Sequence, residues 1–150
     1  MKKKLRILFL CTGNSCRSQM AEGFAKALKG DTIEAHSAGI ETHGLNPHAV
    51  SVMAEAGVDI SGHHSKHLDE FKTMALDYVI TVCGAAHETC PTFPALCRVV
   101  HAGFDDPPAL ALELEAKGAS AEEQLDCYRR VRDEIKTFVQ GLPQTLGKHV

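Results

Sequence analysis

An α/β fold, an open parallel sheet with helices on both faces, is predicted for this chain by three observations. Leu5 to Leu10 is a continuous apolar run of the kind found in strands buried on both sides. A helical pattern and a second strand-like segment, Thr32 to Ser37, come next, and a crossover through one helix makes such a pair parallel. Asp77 to Val82 repeats the character of the first run and stops at Cys83, so a thiol stands at a strand's carboxyl end twice, at Cys11 and at Cys83.

Each further element has a local cause. Ser18 can cap a helix whose apolar face is Met20, Phe24 and Leu28. Asn46 and Pro47 supply an N-cap and an N1 proline for a helix running to about Ala56 and closed by Gly57, with Val50, Met53 and Ala54 as its buried stripe. Arg98 to His101 forms a fourth strand, and Gly103 to Pro108 a loop, because proline cannot donate to a ladder. Ser120-Ala121-Glu122-Glu123 is a capping box, followed at helical spacing by Leu125, Tyr128, Val131, Ile135, Phe138 and Val139, to about Gly141. Residues 143–150 carry little apolar material and are expected to form a loose tail.

A chain of 150 residues, 44% of them hydrophobic, fills one core, so residues 1–150 are read as a single domain. The net charge of -3 gives no general drive towards nucleic acid or acidic membranes. Met1 to Arg6 is basic and precedes an apolar run, but the run ends at Cys11 without a small-residue cleavage site, so a cytoplasmic protein without a membrane segment is expected. The cysteines (Cys11, Cys16, Cys83, Cys90, Cys97, Cys127) are read as reduced thiols, since a core of this size needs no staples.

The chemistry gathers at Cys11-Thr12-Gly13-Asn14-Ser15-Cys16-Arg17-Ser18, where a strand passes into a helix through a loop that starts with a thiol and ends with a guanidinium. The amides of Thr12, Gly13, Asn14, Ser15, Cys16 and Arg17 should converge at the helix N-terminus, where a tetrahedral oxyanion fits. Those amides, the helix dipole and Arg17 favour the thiolate of Cys11, and Ser18 or Ser15 can donate a hydrogen bond to it. Attack by that thiolate needs an acid for the leaving oxygen, and Asp105 and Asp106 lie at the end of the fourth strand. Cys16 is read as filling space under the loop, with a protective disulfide to Cys11 as the alternative. Cys97 and Cys127 are read as structural, His63, His64 and His67 as surface residues rather than a metal site, and no cofactor is expected.

Cysteine, five residues, arginine and serine form a signature that resembles the low-molecular-weight tyrosine phosphatase superfamily. The run Cys11 to Glu22, with Ser37-Ala38-Gly39-Ile40-Glu41-Thr42-His43-Gly44, is similar to its thioredoxin-coupled arsenate reductases. The resemblance implies strand order 2-1-3-4, which opens a crevice between strands one and three, where Cys11 and Cys83 end. It selects Asp106, directly before Pro107, as the general acid, and gives Cys83 and Cys90 the thiols that pass electrons on. The implied activity is arsenate reduction in arsenic detoxification, by Cys11 attack and a Cys11/Cys83/Cys90 disulfide relay recycled by thioredoxin, in a monomer with weak phosphatase side activity. Some relatives bind potassium beside the loop through residues matching Asn14, Glu22 and Ser37 with a Thr and an Asp; the last two positions hold His64 and Lys66 here.

Two other readings remain open at this point. A tyrosine phosphatase shares the Cys11 loop, though such enzymes grip an aromatic ring with aromatic residues, and here Pro108-Ala109-Leu110 follow Asp106-Pro107 and only 5% of residues are aromatic. A phosphocysteine carrier or oxyanion-binding module would need neither Asp106 nor Cys90.

Overall fold

Four consecutive residues of the first strand, Ile7 to Leu10, have no exposed surface, so both faces of the sheet are covered, as expected of a central parallel strand. The computed structural model describes residues 3–84 and 97–149. Strands β1 (Leu5–Cys11), β2 (Ile33–Gly39), β3 (Tyr78–Thr81) and β4 (Arg98–His101) form one sheet in the order β2-β1-β3-β4, every neighbour parallel. Helices α1 (Arg17–Lys29), α2 (Pro47–Glu55), α3 (Pro107–Ala116) and α4 (Ala121–Gln140) flank it, and no helix among the described residues is long and apolar enough to cross a membrane.

Local chemistry accounts for most boundaries. Asn46 Oδ1 accepts from the amides of His48 and Ala49 at 2.8 and 3.2 Å, capping α2 ahead of its N1 proline. Ser120 and Glu123 form the reciprocal capping box of α4, with both bonds at 3.1 Å. Along α4 the residues Tyr128, Val131, Ile135 and Val139 are buried at helical spacing, and the helix packs against α1, α2 and α3. Met20 and Phe24 of α1 are fully buried, each contributing about 1.5–3 kcal/mol by area.

The structure corrects five expectations. Ser18 lies inside α1 rather than capping it; the N-cap is Cys16, which makes no side-chain cap bond. The buried face of that helix ends at Ala25, leaving Leu28 43% exposed in the last turn. In α2 the buried residues are Ala49, Val52 and Met53 rather than Val50, Met53 and Ala54, because this short helix carries two overlapping apolar stripes and packing on α4 chooses between them. Pro107 and Pro108 end the loop after β4 but also open α3, where the first turn has no need of their missing N–H groups. At the end of the chain, Leu142 and Leu146 join the core and Gln144–His149 is a 3-10 helix, so the segment from 143 to 146 is anchored rather than loose.

Candidate active site

A cavity of about 320 Å³ opens where β1 passes into α1, lined by Cys11, Thr12, Gly13, Ser15, Cys16, Arg17, His43, Asn46, Asp106 and Pro108. With no side chain capping α1, its first-turn amides remain available to an anion in this cavity. Close approach of the segment after β2 holds the loop: the amides of Ile40, Glu41 and His43 donate to the carbonyls of Cys11, Thr12 and Gly13 at 3.2, 2.9 and 2.9 Å. Gly13 and Gly39 permit this approach. A Cβ on Gly13 would strike the His43 imidazole, and one on Gly39 would strike the backbone of Glu41 and lie 2.7 Å from the Asn14 nitrogen.

Asn14 departs from the expected cradle. It sits at φ 48°, in the left-handed region that Asn tolerates better than most residues, and its side chain is buried beneath the loop. Asn14 Nδ2 donates to Ser18 Oγ and to Ser37 Oγ, both at 2.9 Å, and Oδ1 accepts from the Lys66 amide at 2.8 Å. Ser18 Oγ lies 2.8 Å from Cys11 Sγ, within hydrogen-bond distance. Cys16 is 4% exposed, and burial pushes its thiol far up despite the opposing charge of Arg17.

At the rim, Arg17 Nη1 donates to the Phe104 carbonyl at 3.0 Å and Nη2 stands 3.6 Å from Asp106 Oδ1. Asp106 is the N-cap residue of α3, but its carboxylate makes no cap bond, and proline at N2 removes one of the amides it would use. The carboxylate lines the cavity, paired with Arg17. Asp105 instead pairs with Arg130 at 3.0 Å on the surface. Leu10 aligns with Thr81, so the next steps place Val82 beside Cys11 and Cys83 beside Thr12. Cys83 is buried, with its sulfur 3.3 Å from Thr12 Oγ1. Cys90 and His87 lie outside the described residues.

The region matched to potassium ligands does not fit a cation. Glu22 is 3% exposed; Ser37 donates to Oε1 at 2.5 Å, Lys26 Nζ reaches Oε2 at 2.6 Å and Lys66 Nζ lies 3.6 Å from Oε1. Burial alone would raise the Glu22 carboxyl, but the bonds from Lys26 and Ser37 and the charge of Lys66 hold it below the ordinary carboxylate value. Two ammonium groups already neutralise the carboxylate that a cation would use. Potassium in place of sodium at equal ionic strength is therefore expected to leave turnover unchanged, and a several-fold specific stimulation in steady-state assays would show that this electrostatic account is wrong.

Among the described residues no group of three or more His, Cys, Asp or Glu is placed to hold a metal ion. Of the three histidines read as surface residues, His63 is instead tied to the interior, with Nδ1 2.9 Å from Gln19 Oε1 and 3.7 Å from Glu22 Oε2. Sequence reasoning missed His43 and Asn46 as cavity walls, and Gln19 and Lys66 as supports of Asn14. Asn46 was visible only as a helix cap, while Gln19 and His43 lay within the matched runs and Lys66 at a matched potassium position without any sign of these contacts.

Residues 6–150 match the family described as low molecular weight phosphotyrosine protein phosphatase. An arsenate reductase of Halalkalibacterium halodurans is 49% identical over 144 residues, covering 93% of this chain and 98% of that protein. A solved arsenate reductase in the phosphate binding state superimposes with a TM-score of 0.70 at 32% identity, covering 97% of this chain and 99% of that one. An arsenate reductase solved in its oxidized state gives 0.69 at 31%, covering 97% and 98%.

Proposed function

The chain belongs to the low molecular weight phosphotyrosine protein phosphatase family, and on that premise we propose that it is an enzyme reducing arsenate to arsenite. The observation that carries this reading is a buried thiol at the end of the neighbouring strand, Cys83, hydrogen-bonded at 3.3 Å to Thr12 of the loop that Cys11 begins. Hydrolysis of a phosphate ester through one cysteine requires no second thiol. The relatives named arsenate reductase support the same substrate, and among the described residues the cavity walls include no Phe, Tyr or Trp to grip a phosphotyrosine ring.

In the proposed reaction the Cys11 thiolate attacks arsenic, held by the loop amides and Arg17, and an As–O bond breaks as Asp106 or solvent protonates the departing oxygen. Cys83 then attacks the Cys11 sulfur. The S–As electron pair moves to arsenic, arsenite leaves, and a Cys11–Cys83 disulfide remains. Cys90 attacks Cys83, freeing Cys11 as thiolate and leaving a Cys83–Cys90 disulfide, which a thioredoxin-like dithiol reduces with two electrons. A cytoplasmic enzyme suits this chemistry, because a reducing compartment resets the thiols.

Incubating the reduced protein with arsenate and mapping its disulfides by mass spectrometry tests the reading. Arsenite together with a Cys11–Cys83 or Cys83–Cys90 disulfide is expected. Unchanged thiols with released product from an aryl phosphate would indicate a phosphatase, and tight oxyanion retention without turnover a binding module.

Asp106→Asn separates the two leaving groups. Aryl phosphate cleavage, in which a phenolate must be protonated, should fall by roughly a hundredfold or more. Arsenate reduction should fall less, since solvent can protonate a departing hydroxide. The comparison of kcat/KM on the two substrates checks it, and equal losses would count against the assignment.

A further inference from the structure

Two hydrogen-bond chains meet at Asn14, and groups that can only donate or only accept fix the direction of both. The Lys66 backbone amide can only donate, so the Asn14 atom 2.8 Å away is Oδ1, and Nδ2 faces Ser18 and Ser37. Ser37 commits its one proton to Glu22 Oε1 at 2.5 Å. Ser18, accepting from Asn14, is left with its proton for Cys11 Sγ.

The same count orients Gln19, which is fully buried and does not line the cavity. Its side-chain nitrogen faces the carbonyls of Asn14 and His64 at 3.2 and 3.0 Å and Asn14 Oδ1 at 3.0 Å, all of them acceptors. Its oxygen therefore faces His63 Nδ1 at 2.9 Å, and that nitrogen carries a proton.

From these directions we infer that Gln19 and His63 are positioning residues for the nucleophile: His63 orients Gln19, Gln19 and the Lys66 amide orient Asn14, and Asn14 turns the Ser18 proton onto Cys11. Were the Asn14 amide reversed, its oxygen would draw the Ser18 proton away from sulfur and would oppose the lone pairs of Ser37. Buried bonds of this kind act together, so a donor lost at one end is felt at the other. Charged groups stand at both ends: Glu22, Lys26, Lys66 and Asp59 around His63, and Arg17 and Asp106 near Cys11. Burial, with Lys26 and Lys66, holds His63 below its ordinary value against the pull of Glu22, so at neutral pH it is a neutral donor.

The inference rests on Cys11 being the nucleophile. The test measures Cys11 alkylation by iodoacetamide across pH, with and without arsenate, by peptide mapping, alongside arsenate turnover and circular dichroism. Gln19→Leu and Gln19→Glu, which cannot donate to Asn14, should slow Cys11 alkylation at neutral pH by roughly three- to tenfold. The pH of half-maximal alkylation should move up, and kcat should fall with KM for arsenate little changed. His63→Leu should act in the same direction, whereas His63→Asn, which places an amide N–H near the Nδ1 position, should stay close to wild type. An unchanged alkylation profile in a folded Gln19 variant overturns the inference. If the Gln19 variants do not fold, the His63 pair decides it, and equal rates for His63→Leu and His63→Asn overturn it. Failure of arsenate to protect Cys11 in the wild-type protein would overturn the nucleophile reading itself, and the inference with it.

Discussion

Cys11→Ser is expected to bring arsenate reduction down to the background rate. The Ser18 hydroxyl 2.8 Å from the sulfur, the loop amides and Arg17 surround this position, and none of them can make an alkoxide available at neutral pH. The residual oxyanion site should survive, so the variant should still bind phosphate while turning over no arsenate. Arg17→Lys belongs to the same experiment. The guanidinium holds the Phe104 carbonyl at 3.0 Å with one nitrogen and approaches Asp106 with the other, so its fork ties the loop after β4 to the cavity. An ammonium is a point charge without that fork, and a loss of roughly a hundredfold in kcat/KM is expected. Steady-state arsenite production measures both. Near-normal turnover by Cys11→Ser would remove Cys11 from the chemistry.

The second large effect separates the two later thiols. Cys90→Ser should complete one turnover and stop as a Cys11–Cys83 disulfide, giving a burst of about one arsenite per protein and then nothing. Cys83→Ser should accumulate neither disulfide, lose multiple-turnover reduction, and keep weak activity on an aryl phosphate, because the Cys11 cavity is untouched. The register places Cys83 beside Thr12 rather than directly beside Cys11, so the sulfur that is hydrogen-bonded to Thr12 must leave that bond to attack. Disulfide geometry limits Cα separations to about 7 Å for each partner in turn. Thr12→Val should therefore leave the Cys11–Cys83 step intact. Quenched-flow arsenite measurements with disulfide mapping follow each stage, and a Cys90→Ser enzyme that cycles with thioredoxin at the wild-type rate would take Cys90 out of the relay.

What the sequence determined by itself is what neighbouring residues decide among themselves. The apolar run of β1, the Asn46-Pro47 start of α2 and the Ser120/Glu123 box all act within about one turn or one strand, so their residues could be read in place. Cys11 and Arg17 belong with them, because a short loop of fixed length sets their separation whatever the rest of the chain does. Tertiary structure decided everything that depends on register and phase. Which apolar stripe of α2 is buried was settled by its contact with α4, and that Asp105 pairs with Arg130 while Asp106 faces the cavity was settled by where the loop after β4 meets α1 and α4. The underside of the Cys11 loop was the least legible part. Asn14, Gln19, Ser37, His63 and Lys66 come from a loop, a helix, a strand and a distant connection, and they meet only because β2 lies beside β1 and the segment after α2 returns beneath them. Such polar contacts have no period along the chain, since each is fixed by the directions of protons and lone pairs in three dimensions rather than by spacing in sequence.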